Sequence, residues 1–190
     1  MKKSNRSNID SFIVMDVMEQ ARLEEEAGRN IVHMEVGQPS TPAPRRAIKD
    51  LSDLMHKEPL GYTVALGIPL LRRKISDLYL KWYDIELNPD RIIVTSGSSG
   101  AFILAFTSLF DTGARVGLGA PGYPSYRQIL KAMGLEPIIL ETTSKEKFQV
   151  TSNSTFGSEL DGLLIASPAN PTGSMLNFNS LQSLINKCAD

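Results

Sequence analysis

The chain has 190 residues, 20 of them basic and 21 acidic, for a formal net charge of −1. That near-balance, with the signs interspersed, argues against a nucleic-acid surface, and no apolar run approaches the roughly 20 residues of a membrane span. A single cysteine, Cys188, excludes an internal disulfide and fits a reducing, cytoplasmic setting. The basic start Met1-Lys2-Lys3 leads into no apolar h-region, so no signal peptide is expected.

In chain order, a helix is expected over 9–27, with Ile13, Val17 and Ala21 at helical spacing and Gly28 as its stop. A short strand over 31–36 then runs into Gly37-Gln38-Pro39-Ser40-Thr41-Pro42-Ala43-Pro44, whose prolines make a rigid extended loop. A helix over 45–56 follows, then an extended piece around Tyr62. Gly67-Ile68-Pro69 opens another helix carrying Leu70, Leu71, Ile75, Leu78 and Tyr79, and Asn88-Pro89-Asp90 is a turn. Beyond it strand and helix alternate: strand 92–94 and helix 99–110, strand 115–118 and helix 123–133, strand 137–140, then strand 162–166 and helix 179–189. The polar, turn-rich stretch 141–155 offers no motif. About four short apolar strands separated by helices predict an α/β fold of three layers, α/β/α, around a mostly parallel sheet. Ligands of such sheets bind at the carboxyl ends of the strands.

Three turns lie at those ends. Val94-Thr95-Ser96-Gly97-Ser98-Ser99-Gly100-Ala101 carries a strand into Ala101-Phe102-Ile103-Leu104-Ala105-Phe106, which reads as a buried helix. Its unpaired N–H groups, the positive end of the helix dipole and several hydroxyls suit an anion, most often a phosphate; an ordinary helix cap is the plain alternative. Ala120-Pro121-Gly122-Tyr123-Pro124-Ser125-Tyr126 presents an aromatic ring that could stack on a flat ligand or pack on its own sheet. Ala166-Ser167-Pro168-Ala169-Asn170-Pro171-Thr172-Gly173 holds an amide side chain over the sheet edge, unless it is only a proline turn. Gly117-Leu118-Gly119-Ala120-Pro121-Gly122 also matches G-x-G-x-x-G. A dinucleotide fingerprint needs its helix to start inside the motif, and Pro121 and Pro124 delay it.

Taken in order, the Gly37-Gln38-Pro39 loop, Tyr62-Thr63 with Gly67-Ile68-Pro69-Leu70-Leu71-Arg72, Thr95-Ser96-Gly97-Ser98-Ser99-Gly100-Ala101, Pro121-Gly122-Tyr123-Pro124-Ser125-Tyr126 and Asn170-Pro171-Thr172-Gly173 give a resemblance. The chain resembles the N-terminal half of class I/II, fold type I, pyridoxal-phosphate-dependent aminotransferases. The resemblance implies that Gly97, Ser98 and Ser99 form the cup for the cofactor phosphate. Tyr123 would stack on the pyridine ring, and Asn170 would donate to its phenolic oxygen. Tyr62 would reach the phosphate of a neighbouring subunit, which implies a homodimer, and Gly37 would lie near the substrate carboxylate. Tyr126, one helical turn from Tyr123, is expected to pack.

The resemblance implies transfer of an amino group from an amino acid to a 2-oxo acid. It implies residues 1–45 as an N-terminal arm and small-domain segment, and 46–190 as part of the large cofactor domain. It also implies a Schiff-base lysine, an acid for the ring nitrogen and an arginine for the substrate, all beyond Asp190. Lys49, Lys57, Lys74, Lys81, Lys131, Lys145, Lys147 and Lys187 read as solvated. The chain alone is therefore expected to be a truncated, inactive fragment holding half a cup. Other fold type I enzymes (lyases, decarboxylases) and a non-catalytic remnant are the alternatives.

Overall fold

The structure, a computed structural model, describes residues 2–154 and 159–189. Met1 and Asp190, and Thr155 at the end of the polar stretch, lie outside the described residues. The chain divides into two units, Val17–Ser96 and a second made of Met1–Asp16 with Gly97–Asp190. Among the described residues no helix is long and apolar enough to cross a membrane.

Val17–Ser96 is built on helices. α1 (Ile13–Glu26) enters it from the other unit, and α2 (Arg45–Lys57) and α3 (Pro69–Tyr83) follow. α1 stops at Gly28, whose φ of +85° suits glycine, with the Gly28 N–H on Glu25 O at 2.9 Å and the Arg29 N–H on Glu24 O at 3.0 Å. α3 opens on Pro69, where a missing N–H costs nothing. From α3 the buried Arg72 donates through Nη1 to Pro89 O at 2.9 Å and Asp90 Oδ1 at 3.1 Å. That bond holds the 3-10 turn Pro89–Arg91.

Both strands expected in this unit are absent. Residues 31–36 form no ladder; Val32 and Met34 are exposed and the chain bends at Glu35 and Val36. Ile92 is extended, but the backbone N–H bonds of this stretch are one from Ile92 to Pro89 and one from Val94 to Leu66. Two bonds of that kind make no ladder, so β-branched composition alone did not produce a strand. Among the described residues the sheet therefore has three strands, where about four were expected.

In the other unit β1 (Arg115–Ala120) lies between β2 (Glu136–Glu141) and β3 (Gly162–Leu164), all parallel. Side chains alternate between the two faces. On one face Val116, Leu118 and Leu164 pack with Leu130 and Leu135 of the α5 region and with Phe106 and Phe102 of α4. On the other, Ile138, Leu140, Leu163 and Ile165 pack with Val150 and Leu184 of α6. The helices α4 (Gly97–Leu109), α5 (Pro124–Met133) and α6 (Phe178–Ala189) thus cover both faces, giving the three-layer α/β/α arrangement expected. Gly117 makes the second face possible, since a Cβ there would stand 2.9 Å from Leu160 and 3.0 Å from Leu163. Burying Val116, Leu118 and Leu130 almost completely contributes about 1.5–3 kcal/mol each.

α4 corrects one expectation. Phe102 and Phe106 pack inward, but Ile103, Leu104 and Leu109 are half or more exposed. The helix is apolar all round, and its neighbours in this unit cover one stripe of it.

Candidate functional site

Two of the expected turns leave adjacent strands at the same end. β1 ends at Ala120, and Pro121-Gly122-Tyr123 delays α5 until Pro124, with Tyr123 at its N-cap. This late helix start removes the dinucleotide reading of the glycine pattern. A Cβ on Gly122 would lie 2.6 Å from Gly119 O, so the turn folds back on its own strand where only glycine fits.

The half-buried Tyr123 ring sits nearly perpendicular to Phe12 (centroids 6.1 Å, 88°) and to Tyr126 (5.4 Å, 80°). Tyr126 in turn meets Phe102 of α4 at 5.1 Å. Its packing role is therefore as expected, and it fixes Tyr123 as well.

After β3 the chain runs through Ser167 to Asn170 and returns. Ala169 N–H donates to Ser174 O at 2.9 Å, and Gly173 N–H to Ala169 O at 2.7 Å, with Gly173 at φ +69°. The Leu176 N–H donates to Ser167 Oγ at 3.0 Å. Asn170 is exposed at the tip of this cross-braced turn.

Gly119, Gly122, Tyr126, Gln149, Ala166 and Asn170 line a cavity of about 40 Å³ between the two strand ends. Tyr123 lines a neighbouring cleft of about 210 Å³ that shares Gly119, Gly122 and Tyr126.

The third turn supplies Gly97, Ser98 and Ser99 as the exposed first turn of α4, with Gly97 at φ +72°. No acidic residue stands in that turn, so the amides of the helix start face no carboxylate of their own. Phe102, one helical turn past Ser99, carries the contact to Tyr126. The donors here are amides and hydroxyls, which suit an oxyanion, and Tyr123 and Asn170 add a flat ring and an amide.

Tyr62 and Gly37 belong to the Val17–Ser96 unit. Tyr62 is fully exposed, and a Cβ on Gly37 would meet nothing within 4 Å. Among the described residues there is no group of three or more His, Cys, Asp or Glu able to hold a metal. Several lysines are engaged elsewhere: Lys49 with Asp53 at 2.7 Å, Lys131 with Asp10 at 3.3 Å and Lys187 with Ser152 O at 2.7 Å.

The stretch without a motif proves to be part of the site. Thr142 Oγ1 donates to Ala120 O at 2.6 Å, and the buried Gln149 reaches Ala166 and Ser174. Between them Thr143 caps the short 3-10 turn Ser144–Glu146. The Thr143 hydroxyl and N–H donate to Glu146 and hold its carboxyl below the ordinary carboxylate range. The capping pair Thr143–Glu146 was a readable signal of this turn.

Residues 29–190 match the family model for aminotransferase class I and II. Over 185 residues the chain is 38% identical to the valine–pyruvate aminotransferase of Mycobacterium tuberculosis, covering 96% of this chain and 48% of that protein. A crystal structure of an aminotransferase from the same organism superposes with a TM-score of 0.93 at 37% identity, over 100% of this chain and 49% of the other. A crystal structure from Silicibacter pomeroyi gives a TM-score of 0.87 at 51% identity, over 100% and 48%. The chain spans about half the length of the curated relatives it matches. With its family model matched over most of its length and its fold shared with these structures, the chain belongs to the class I and II aminotransferases, a pyridoxal-phosphate-dependent family of fold type I.

Proposed function

We propose that this chain supplies the cofactor-holding half of an enzyme that moves an amino group from an amino acid to a 2-oxo acid. The observation that carries the reading is the convergence of the Tyr123 and Asn170 turns on one cavity between parallel neighbours β1 and β3. In this reading the α4 amides with Ser98 and Ser99 hold the phosphate, and Gly97 leaves room for it. Tyr123 backs the ring, and the Asn170 amide donates to the ring oxygen. When bound, pyridoxal phosphate supplies the electron sink that makes an amino acid's Cα–H acidic. This chain's residues orient the cofactor and keep its phosphate end fixed.

Three further elements belong to the same proposal. Gly37 borders the substrate carboxylate, and residues 1–45 act as arm and small-domain segment against a cofactor domain from 46 onward. The outward-facing Tyr62 serves the phosphate of a second copy in a cytoplasmic homodimer; its full exposure supports that role.

In this reading none of the chain's lysines carries the cofactor; Lys49, Lys131 and Lys187, engaged with Asp53, Asp10 and Ser152 O, support it. The 190-residue chain should therefore take up pyridoxal phosphate weakly and transaminate nothing. Incubation with pyridoxal phosphate and an amino acid, followed by borohydride, tests this. Cofactor-dependent thermal stabilisation without keto-acid is the expected result. A single reductively labelled lysine together with keto-acid formation would overturn the claim of inactivity, and no stabilisation at all would overturn the cofactor site.

A further inference from the structure

We propose that Gln149 is a positioning residue: it sets the Asn170 turn against the end of β3, and with Thr142 it locks the two cofactor turns into one frame. The proposal rests on the reading of Asn170 given above. Gln149 is 5% exposed, although it lies in a polar excursion between β2 and β3. Its Nε2 donates to Ser174 O at 2.7 Å and Ala166 O at 3.2 Å, with Ser174 Oγ at 3.3 Å. Carbonyl oxygens can only accept, so this end of the side chain is the NH2. Its two hydrogens serve the two carbonyls.

Those carbonyls stand at the two feet of the turn. Ala166 begins the excursion from β3 and Ser174 ends it, with Asn170 at the midpoint. One amide thus ties both feet together from outside, where Ala169 and Gly173 brace them from within.

The excursion is itself anchored. Thr142 holds Ala120 through its N–H at 3.2 Å and its hydroxyl at 2.6 Å. Val150, next to Gln149, is 3% exposed and packs with Leu140 and Leu184. The same short stretch therefore grips the last residue before Pro121-Gly122-Tyr123 and both feet of the Asn170 turn. A glutamate could not replace Gln149, since a carboxylate would face two carbonyls, and an apolar side chain would take the side-chain donor from Ala166 O and leave Ser174 O with the Ala169 N–H alone.

The test uses the 190-residue chain and pyridoxal phosphate. Gln149→Met keeps the length and removes the donor. In the absence of cofactor, the Gly173 amide should exchange with solvent faster, while the amides of Val116 and Leu118 keep their protection. In titrations, Gln149→Met and Asn170→Ala should each weaken cofactor binding by about tenfold, and the double variant should be no weaker than Asn170→Ala alone.

If Gln149→Met loosens the core, Gln149→Asn, one methylene short, takes its place with the same expectations. Unchanged Gly173 exchange in a variant that keeps its core overturns the proposal, as does a double variant whose losses multiply. Asn170→Ala binding like the wild type, with Gly173 exchange raised in Gln149→Met, is a separate outcome. It sinks the reading of Asn170, and the positioning role with it.

Discussion

Thr142 and Ala120 are joined twice, the threonine N–H and hydroxyl both donating to the one carbonyl oxygen at 3.2 and 2.6 Å. Ala120 is the last residue of β1 and the last before the Tyr123 turn. Thr142→Val keeps the side-chain shape and the N–H bond and removes the hydroxyl. The expected loss is about 1 kcal/mol, the usual net worth of one partly buried hydrogen bond. Urea unfolding measures it, and a loss below the error of that measurement would show the hydroxyl bond to be dispensable.

Gly122 and Gly37 are both glycines of cofactor-family motifs, but the space around them differs. A Cβ on Gly122 would meet Gly119 O at 2.6 Å, and a backbone atom cannot swing aside as a side chain can. Gly122→Ala should cost about 1–3 kcal/mol and weaken pyridoxal phosphate binding, because Tyr123 is the next residue. Gly37 has open space, and Gly37→Ala should leave stability of this chain within about 0.5 kcal/mol. Equal losses at the two sites, in parallel denaturation curves, would contradict this account.

What could be read from the sequence follows from how local each determinant is. The Pro121-Gly122-Tyr123 and Asn170-Pro171-Thr172-Gly173 turns were legible because proline and glycine act on their own backbone. The strand–helix alternation from Arg115 onward was legible because each strand is apolar on both faces. Gln149 was not, because its partners lie 17 and 25 residues away, and nothing in a polar loop says which carbonyls it will face. Residues 92–94 misled for the converse reason: β-branched side chains favour a pleated surface, but a strand exists only where a neighbour completes the ladder. Ile103 and Leu104 misled in the same way, since apolarity announces burial without naming the partner.

Arg72 and Asp90 form one ion pair with unequal ends, the side chains 10% and 80% exposed. Asp90 keeps most of its hydration in either state, so Asp90→Asn should change stability by no more than about 0.5 kcal/mol. Arg72 also donates to Pro89 O, and its removal strips the Pro89–Arg91 turn of its anchor. Arg72→Met should cost about 2 kcal/mol, within the range of charge-assisted hydrogen bonds. The two variants compared by chemical denaturation decide whether the carboxylate or the backbone carbonyl is the partner that matters.

His33 binds two carboxylates, Glu35 at 2.6 Å through Nδ1 and Glu25 of α1 at 2.9 Å through Nε2. Hydrogen bonds to Glu35 first and Glu25 second raise its pKa above the ordinary 6.5, while the bond to His33 lowers Glu35 below the ordinary 4.5. The His33 contribution is complete below 6.5 and fades as pH rises through the raised value. The Glu35 contribution is complete above 4.5 and fades as pH falls through the depressed one. The clasp ahead of the Gly37 loop should therefore be tightest between those two ordinary values. Histidine ring shifts followed against pH, with exchange of the Gln38 amide that donates to Val36 O, would show it. A His33 midpoint at or below 6.5 is the contrary result.

Ser99 separates a phosphate cup from a plain helix start, because the two readings respond in opposite directions to one added charge. It is the third residue of α4, in a first turn that has no acid. Ser99→Asp places a carboxylate in the first turn of α4, beside the positive end of the helix dipole. As an ordinary cap, that should stabilise the chain by about 0.3–1 kcal/mol, with no effect on any ligand. If Gly97, Ser98 and Ser99 hold the cofactor phosphate, the same carboxylate occupies its donors and repels its charge. Thermal unfolding without cofactor should then improve or stay level, while pyridoxal phosphate binding is lost. Ser99→Ala keeps the amides and removes one hydroxyl, so it should weaken binding only partially. Both variants binding pyridoxal phosphate as the wild type does would return this turn to a helix cap and leave the cofactor reading to the Tyr123 and Asn170 turns.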